Sequence, residues 1–175
     1  MDIKQIIRIV NDFPTPGIKF LDVAAIFENP AAFRETVKWL SKITVQHDIW
    51  NIVAVDARGF VWGGAIANEL SIPLHIARKP GKLPGAVVTK TYNTEYSTAS
   101  LSMLKDATIS GKVLVIDDIL ATGGTLNAVG ELLEENWGIL PEQQVHAVIA
   151  NLDFLPGKEI LTNKGYRVES MVNYQ

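Results

Sequence analysis

Residues 113–125, VLVIDDILATGGT, constrain the fold of this chain more than any other stretch. Val113, Leu114, Val115 and Ile116 form an unbroken apolar run rich in β-branched side chains. Such a run reads as a strand buried on both faces of a parallel sheet. Asp117 and Asp118 stand where that strand is expected to end, and in open α/β sheets ligands bind outside the carboxyl ends of the strands. Ala121, Thr122, Gly123, Gly124 and Thr125 then make a small-residue loop. It leads into Leu126, Val129, Leu132 and Leu133, which repeat at helical spacing. A small-residue loop that opens a helix presents unpaired backbone N–H groups and the positive end of a helix dipole to an anion. The hydroxyls of Thr122 and Thr125 can add hydrogen bonds to phosphate oxygens.

The stretch therefore sets two carboxylates beside a phosphate cradle. A sugar phosphate satisfies both, with the acids on ribose hydroxyls and the loop on the phosphate. A Walker-type loop needs a Gly-Lys-Ser/Thr ending, and the absence of a lysine here argues against a nucleotide triphosphatase. A plain strand–turn–helix with Asp residues capping the turn would share part of the pattern. It would not require both threonines and both glycines beside an acid pair.

The remaining composition narrows the class. A chain of 175 residues fits one domain with a substantial core. The sequence has no cysteine, so it offers no disulfide framework, thiol nucleophile or thiolate metal site. His47, His75 and His146 are too scattered to suggest a histidine-built metal centre. A net charge of −3 does not suggest a nucleic-acid partner, and it leaves any anionic substrate to be held by local groups. No apolar run reaches membrane-spanning length, and the N-terminus lacks a signal-peptide core, so a cytoplasmic location is expected.

Taken in order, Ile3, Ile6, Ile7 and Val10 are spaced like one face of a short helix over residues 2–11. The stiff connection DFPTPG follows, then a short mixed segment over residues 18–23. Asn29 is a plausible N-cap with Pro30 at the first helical position, and Phe33, Val37 and Leu40 continue at helical spacing. Residues 52–55 read as a strand ending in DARGF, with a small-residue helix to about Leu70. An arginine beside a glycine there suits an anion that approaches the backbone closely, or equally a structural Arg–Asp pair within the turn. A third strand over residues 72–77 runs directly into RKPGKLPG, whose three cations stand at the ligand-bearing edge. Residues 87–104 read as an exposed two-stranded excursion and a flexible lid, with Glu95 as its only acid, between Tyr92 and Tyr96. Strands over residues 145–150 and 166–172, with a short helix after Pro156–Gly157, complete an alternating pattern. It predicts an α/β fold with a parallel twisted sheet flanked by helices. Residues 12–28 and 151–175 are left over as material for a small hood above the strand ends, and residues 83–104 for the flexible loop.

Residues 113–125 resemble the 5-phosphoribosyl-1-diphosphate (PRPP) motif of type I phosphoribosyltransferases. DFPTPGIKFLDV, DARGF, RKPGKLPG, TYNTEYST, VLVIDDILATGGT and LDFLPGKEIL occur in one order, and together they resemble the adenine phosphoribosyltransferase family over most of the chain. The resemblance implies a Rossmann-like type I phosphoribosyltransferase fold and the reaction of adenine with PRPP to give AMP and diphosphate. It also implies magnesium carried by PRPP, near Asp117 and Asp118, and a homodimer in the cytoplasm. By the same resemblance Ala121, Thr122, Gly123, Gly124 and Thr125 hold the 5′-phosphate, with Asp117 and Asp118 at the ribose hydroxyls. Arg58, Lys82 and Tyr96 meet the diphosphate, with Arg78 in support. Glu95 approaches the base as a general acid or base, with Arg58 and Lys82 as the other catalytic groups. Phe20 and Leu152 sandwich the purine, and backbone groups near Lys19 and Leu21 read its edge.

The chain departs from the family at three places. Leu21 stands where the family usually has arginine, Ala24-Ala25 where it has Thr or Ser followed by Pro, and Asn151 where an acid is common. Backbone recognition would make the Leu21 change cheap, whereas side-chain recognition would shift the choice of base. A hypoxanthine, guanine or xanthine phosphoribosyltransferase is the nearest alternative, since Lys19 could donate to a 6-oxo group. A non-catalytic PRPP sensor is the other, though such a protein should carry a DNA-binding module or a basic face.

Overall fold

The computed structural model describes residues 1–13, 15–17, 19–93 and 98–175. A short 3-10 turn, Ile3–Gln5, precedes β1 (Arg8–Asn11), which pairs antiparallel with β2 (Lys19–Asp22). The helix expected over residues 2–11 is therefore replaced by a turn and a strand. Three of the four residues in Ile6, Ile7, Ile9 and Val10 are of one β-branched type, isoleucine, and the fourth is valine; such side chains lose rotamer freedom in a helix and fit a pleated surface. Arg8 fastens the pair, with ion contacts of 2.7 Å to Asp22 and 2.9 Å to Glu28.

After α1 (Ala25–Glu28), α2 (Pro30–Gln46) begins as expected. The Asn29 carboxamide oxygen accepts from the N–H groups of Ala31 and Ala32 at 3.1 Å each, and Pro30 needs no partner for a missing N–H. β3 (Asn51–Val55), α3 (Gly59–Leu70) and β4 (Leu74–Ala77) follow, then the hairpin β5 (Val87–Asn93) and β6 (Thr98–Leu104). The chain continues through β7 (Val113–Leu120), α4 (Gly124–Trp137), β8 (Gln144–Leu152), α5 (Gly157–Asn163) and β9 (Arg167–Tyr174).

The central sheet has five parallel strands in the order β4-β3-β7-β8-β9. Alternation along β3 and β7 feeds two cores. Ile52, Leu114 and Ile116 pack with Trp62, Leu40 and Ile66 beneath α2 and α3. Val53, Val55, Val113 and Val115 pack with Leu126, Val129 and Leu133 of α4. Strands buried on both faces read as continuous apolar runs, which is why this sheet was legible.

Two further segments differ from expectation. The strand expected over residues 166–172 is present as β9, the edge strand of the main sheet, parallel to β8, so the hood does not extend over residues 167–174. The hairpin is anchored rather than an exposed excursion. Leu101, Ser102 and Met103 are buried, and Leu101 and Met103 pack into the α4-side core. The backbone groups of Arg78 and Ser102 exchange hydrogen bonds of 2.9 and 2.7 Å.

The site is set by unequal strand lengths. β7 does not end at Ile116 but runs on to Leu120, and it stays paired with β8 as far as Leu120 and Asn151. Its pairing with β3 stops at Ala54 and Ile116. From Asp117 onward one edge of β7 has no strand partner among the described residues. Strand order also reverses between β3 and β7, which is where an open α/β sheet forms its ligand crevice.

Candidate active site

Asp117 and Asp118 lie within β7 and are only 9% and 6% exposed. Their neighbours treat them differently. Asp118 is ion-paired with the Nε of Arg58. The Asp117 Oδ1 accepts the N–H of Asp118 at 2.8 Å. Burial, followed by the adjacent Asp118 charge, pushes the Asp117 carboxyl well above the usual carboxylate range. Arg58 reaches the acids because the next residue is glycine. A Cβ at Gly59 would lie 2.6 Å from the Ile116 carbonyl oxygen, so only glycine lets the start of α3 sit so close to β7. The Asp56–Ala57 peptide bond, just before Arg58, is cis.

Arg78 is held on several sides. Its Nε donates to Asp56 Oδ2 at 3.2 Å and its Nη1 to the Lys82 carbonyl at 3.3 Å. Its guanidinium stands 5.7 Å from the centre of the Phe60 ring. The cation segment after β4 is thus folded against both the DARGF turn and β6, while the Lys79 and Lys82 side chains remain exposed. A cavity of about 360 Å³ is lined by Asp56, Lys79, Tyr92, Asp117, Asp118 and Thr125, among others. A smaller one of about 80 Å³ is lined by Asp117, Ala121, Thr122, Gly123, Gly124 and Thr125, with Leu126 behind.

The loop of that smaller cavity is built by close backbone approach. Gly123 adopts φ 84°, in the left-handed region open to glycine, and caps α4. The start of α5 presses on it. The Gly157 N–H donates to the Ala121 carbonyl at 3.1 Å, and a Cβ at Gly157 would fall 2.2 Å from that oxygen. On the other side, the Thr125 hydroxyl donates to the Tyr92 hydroxyl at 3.1 Å. Sequence reading missed both Gly157 and Tyr92. Gly157 carried only a turn signal, and Tyr92 was noticed only as a neighbour of Glu95.

The structure brings Arg58, Asp117, Asp118 and the loop 121–125 together and places Arg78 and Lys82 on one folded segment. The residues assigned to the base stand elsewhere. Lys19, Phe20 and Leu21 lie on β2 of the small antiparallel sheet, and Leu152 at the end of β8. Phe20 is half-buried and meets Phe13 edge-on at 5.1 Å. Leu21, on the opposite face of the strand, is 7% exposed and belongs to the core with Ile3, Ile7 and Val23. Its side chain is spent on packing, which leaves only backbone groups of that residue for a ligand. Glu95 and Tyr96 lie outside the described residues.

A phosphoribosyl transferase domain model matches residues 22–138. An adenine phosphoribosyltransferase from Kosmotoga olearia is 39% identical over 175 residues, covering 99% of this chain and all of the relative. One from Geobacter metallireducens is 42% identical and covers 91% of this chain and 92% of its own. The chain belongs to the adenine phosphoribosyltransferase family. The fold agrees along its whole length with that family. The crystal structure of the Giardia lamblia enzyme complexed with 9-deazaadenine has a TM-score of 0.91 at 35% identity, covering 99% of this chain and 97% of that one.

Proposed function

We infer that this chain transfers the 5-phosphoribosyl group of PRPP to adenine, giving AMP and diphosphate in purine salvage. One observation carries the reading. An acid pair, a glycine–threonine loop and a cation segment meet in one crevice at the strand-order reversal, in a chain whose full-length relatives are adenine phosphoribosyltransferases. Those relatives favour adenine over the 6-oxo purines and transfer over sensing.

We propose the following roles. Ala121, Thr122, Gly123, Gly124 and Thr125 hold the 5′-phosphate at the start of α4, where the first helical N–H groups have no intrahelical partners. Asp117 and Asp118 take the ribose hydroxyls. Arg58, Lys82 and Tyr96 meet the diphosphate, and Arg78 orients the segment that carries Lys82. Because Arg58 already pairs with Asp118, the substrate's diol and diphosphate are drawn to the two ends of one ion pair. In the reaction the bond from C1 of the ribose to the diphosphate oxygen breaks, and a bond from C1 to a ring nitrogen of adenine forms. Little covalent help is needed at an oxocarbenium-like centre, so positioning and stabilisation of the departing charge dominate. Glu95 manages the imidazole-ring proton of the base. Phe20 and Leu152 sandwich the purine, and the backbone near Lys19 and Leu21 reads its edge.

Among the described residues no cluster of three or more His, Cys, Asp or Glu could hold a metal by itself. Magnesium takes six oxygen ligands, so the acid pair fits an ion that arrives on the substrate's own oxygens and not a resident one. Bound there, it would neutralise charge on the diphosphate. We further propose that the chain is a single phosphoribosyltransferase domain, with residues 12–28 and the segment between β8 and β9 forming the hood. It is taken to act as a cytoplasmic homodimer with small-molecule partners and no nucleic acid. Among the described residues no helix is long and apolar enough to cross a membrane.

The test is a spectrophotometric assay with PRPP and magnesium in parallel with adenine, hypoxanthine, guanine and xanthine. Turnover with adenine alone is the expected result. Turnover with a 6-oxo purine would relocate the specificity to residues 18–22, and silence with all four despite PRPP binding would overturn transfer.

A further inference from the structure

The geometry points to Tyr92 as a positioning residue that ties the β5–β6 hairpin to occupancy of the phosphate loop. This rests on the reading of residues 121–125 as the 5′-phosphate cradle. Tyr92 is the third residue before Glu95, and among the described residues its side chain carries the hairpin to the loop. Its hydroxyl accepts from the Thr125 hydroxyl at 3.1 Å, and its ring lies against Gly124, where a Cβ would stand 3.0 Å away. The Asn93 carbonyl oxygen is equally close, at 3.1 Å from that position, so the end of β5 rests directly on the loop. Tyr92 also lines the cavity that holds both acids.

The Thr125 hydroxyl has one proton to give. Without a phosphate it gives that proton to Tyr92. A phosphate in the loop is a stronger, charged acceptor and takes it. The Thr125 oxygen then has free lone pairs facing the Tyr92 hydroxyl, which can donate its own proton to them. The contact survives with its polarity reversed, as a relay from Tyr92 through Thr125 to the phosphate. Hydrogen bonds in such a chain polarise and strengthen one another. Phosphate binding therefore tightens β5 against α4. The hairpin's other fastenings do not depend on the ligand in this way. Lys90 pairs with Glu131 at 3.0 Å and with Glu135, and the Ser102 backbone pairs with Arg78. By reciprocity the hairpin contributes to phosphate affinity through the same bond.

The experiment is hydrogen–deuterium exchange over residues 87–93 and 98–104, with and without ribose 5-phosphate, in the full chain and in Tyr92→Phe. Ribose 5-phosphate carries the phosphate and the diol but no diphosphate and no base. In the unaltered chain, saturating ribose 5-phosphate should slow exchange in these strands. In Tyr92→Phe, which keeps the ring against Gly124, its binding should weaken by about threefold to tenfold, the factor that one net hydrogen bond is worth. The ligand-dependent slowing should vanish at saturation. A merely structural tyrosine would change exchange equally with and without ligand. Equal slowing in both proteins would overturn the coupling and leave the phosphate cradle standing. No binding of ribose 5-phosphate to the unaltered chain would overturn the cradle reading and the coupling with it.

Discussion

Asp117 and Asp118 are neighbours in sequence with different electrostatic situations. Asp118 is answered by the Arg58 guanidinium, whereas Asp117 is buried, beside another acid, and is driven toward its neutral form. Asp118→Asn removes the charge that holds Arg58 while keeping the shape. It should raise the KM for PRPP by about tenfold or more, since a hydrogen bond to a charged group is worth roughly 1.5–3 kcal/mol. Steady-state kinetics in PRPP check this, and unchanged PRPP kinetics would remove Asp118 from the diol. The residue types at this site were legible, because two acids and a Thr-Gly-Gly-Thr loop have few other reasons to adjoin. The direction of the Leu21 side chain was not. Alternation along β2 decides it, and that alternation acquires an inside and an outside only once the small sheet has docked on the core.

At the level of elements, the loop 121–125 is held from two sides, by α5 and by the hairpin. Gly157 has no room for a side chain against Ala121 and Gly123. Gly157→Ala should push the start of α5 away. Overpacking of this kind costs typically 1–3 kcal/mol. Both a lower melting temperature and a higher KM for PRPP should follow, and an unshifted KM would mean that α5 does not shape the phosphate cradle. On the hairpin side, Lys90 and Lys164 converge on Glu131, the latter at 2.8 Å. Burial alone would raise the Glu131 pKa, but hydrogen bonds from Lys164 and Lys90 overcome it and hold the carboxyl down at about 2. These links explain why the hairpin departs from the expected free excursion. Its polar, threonine-rich strands read as surface, but the buried Leu101 and Met103 of β6 were hidden among Thr and Ser.

For the whole molecule, stability should depend on pH through the sheet's interior. His146 on β8 is fully buried, with Nε2 3.1 Å from Gln144 Oε1 and Nδ1 without a partner among the described residues. Burial lowers its pKa from 6.5 to about 3. The unfolded chain then binds a proton that the native state refuses, so stability is present above pH 6.5 and is lost as pH falls toward 3. The loss is roughly 1.4 kcal/mol per pH unit within that window. Burial lowers His75 in the same direction. Denaturant unfolding between pH 7.5 and 4.5 should show the slope, and His146→Gln should reduce it by about one proton. An unchanged slope would show that the buried imidazole is not what the acid limb reports.

Read alone, the sequence determined the parallel α/β class, the α2 cap, and the small-residue loop and acid pair that stand side by side. Each is written in local pattern: an apolar run, an Asn-Pro start, a glycine pair before a helical period. Only the tertiary structure decided where β7 loses its partner, which places both acids on an open strand edge and not at a strand end. It alone decided that residues 8–11 pair as a strand, that residues 167–174 take the sheet edge beside β8, and that Tyr92 and Gly157 clasp the loop. The physical reason is common to all four. Each depends on which distant segment supplies the hydrogen bonds or occupies the space, and no local pattern carries that information.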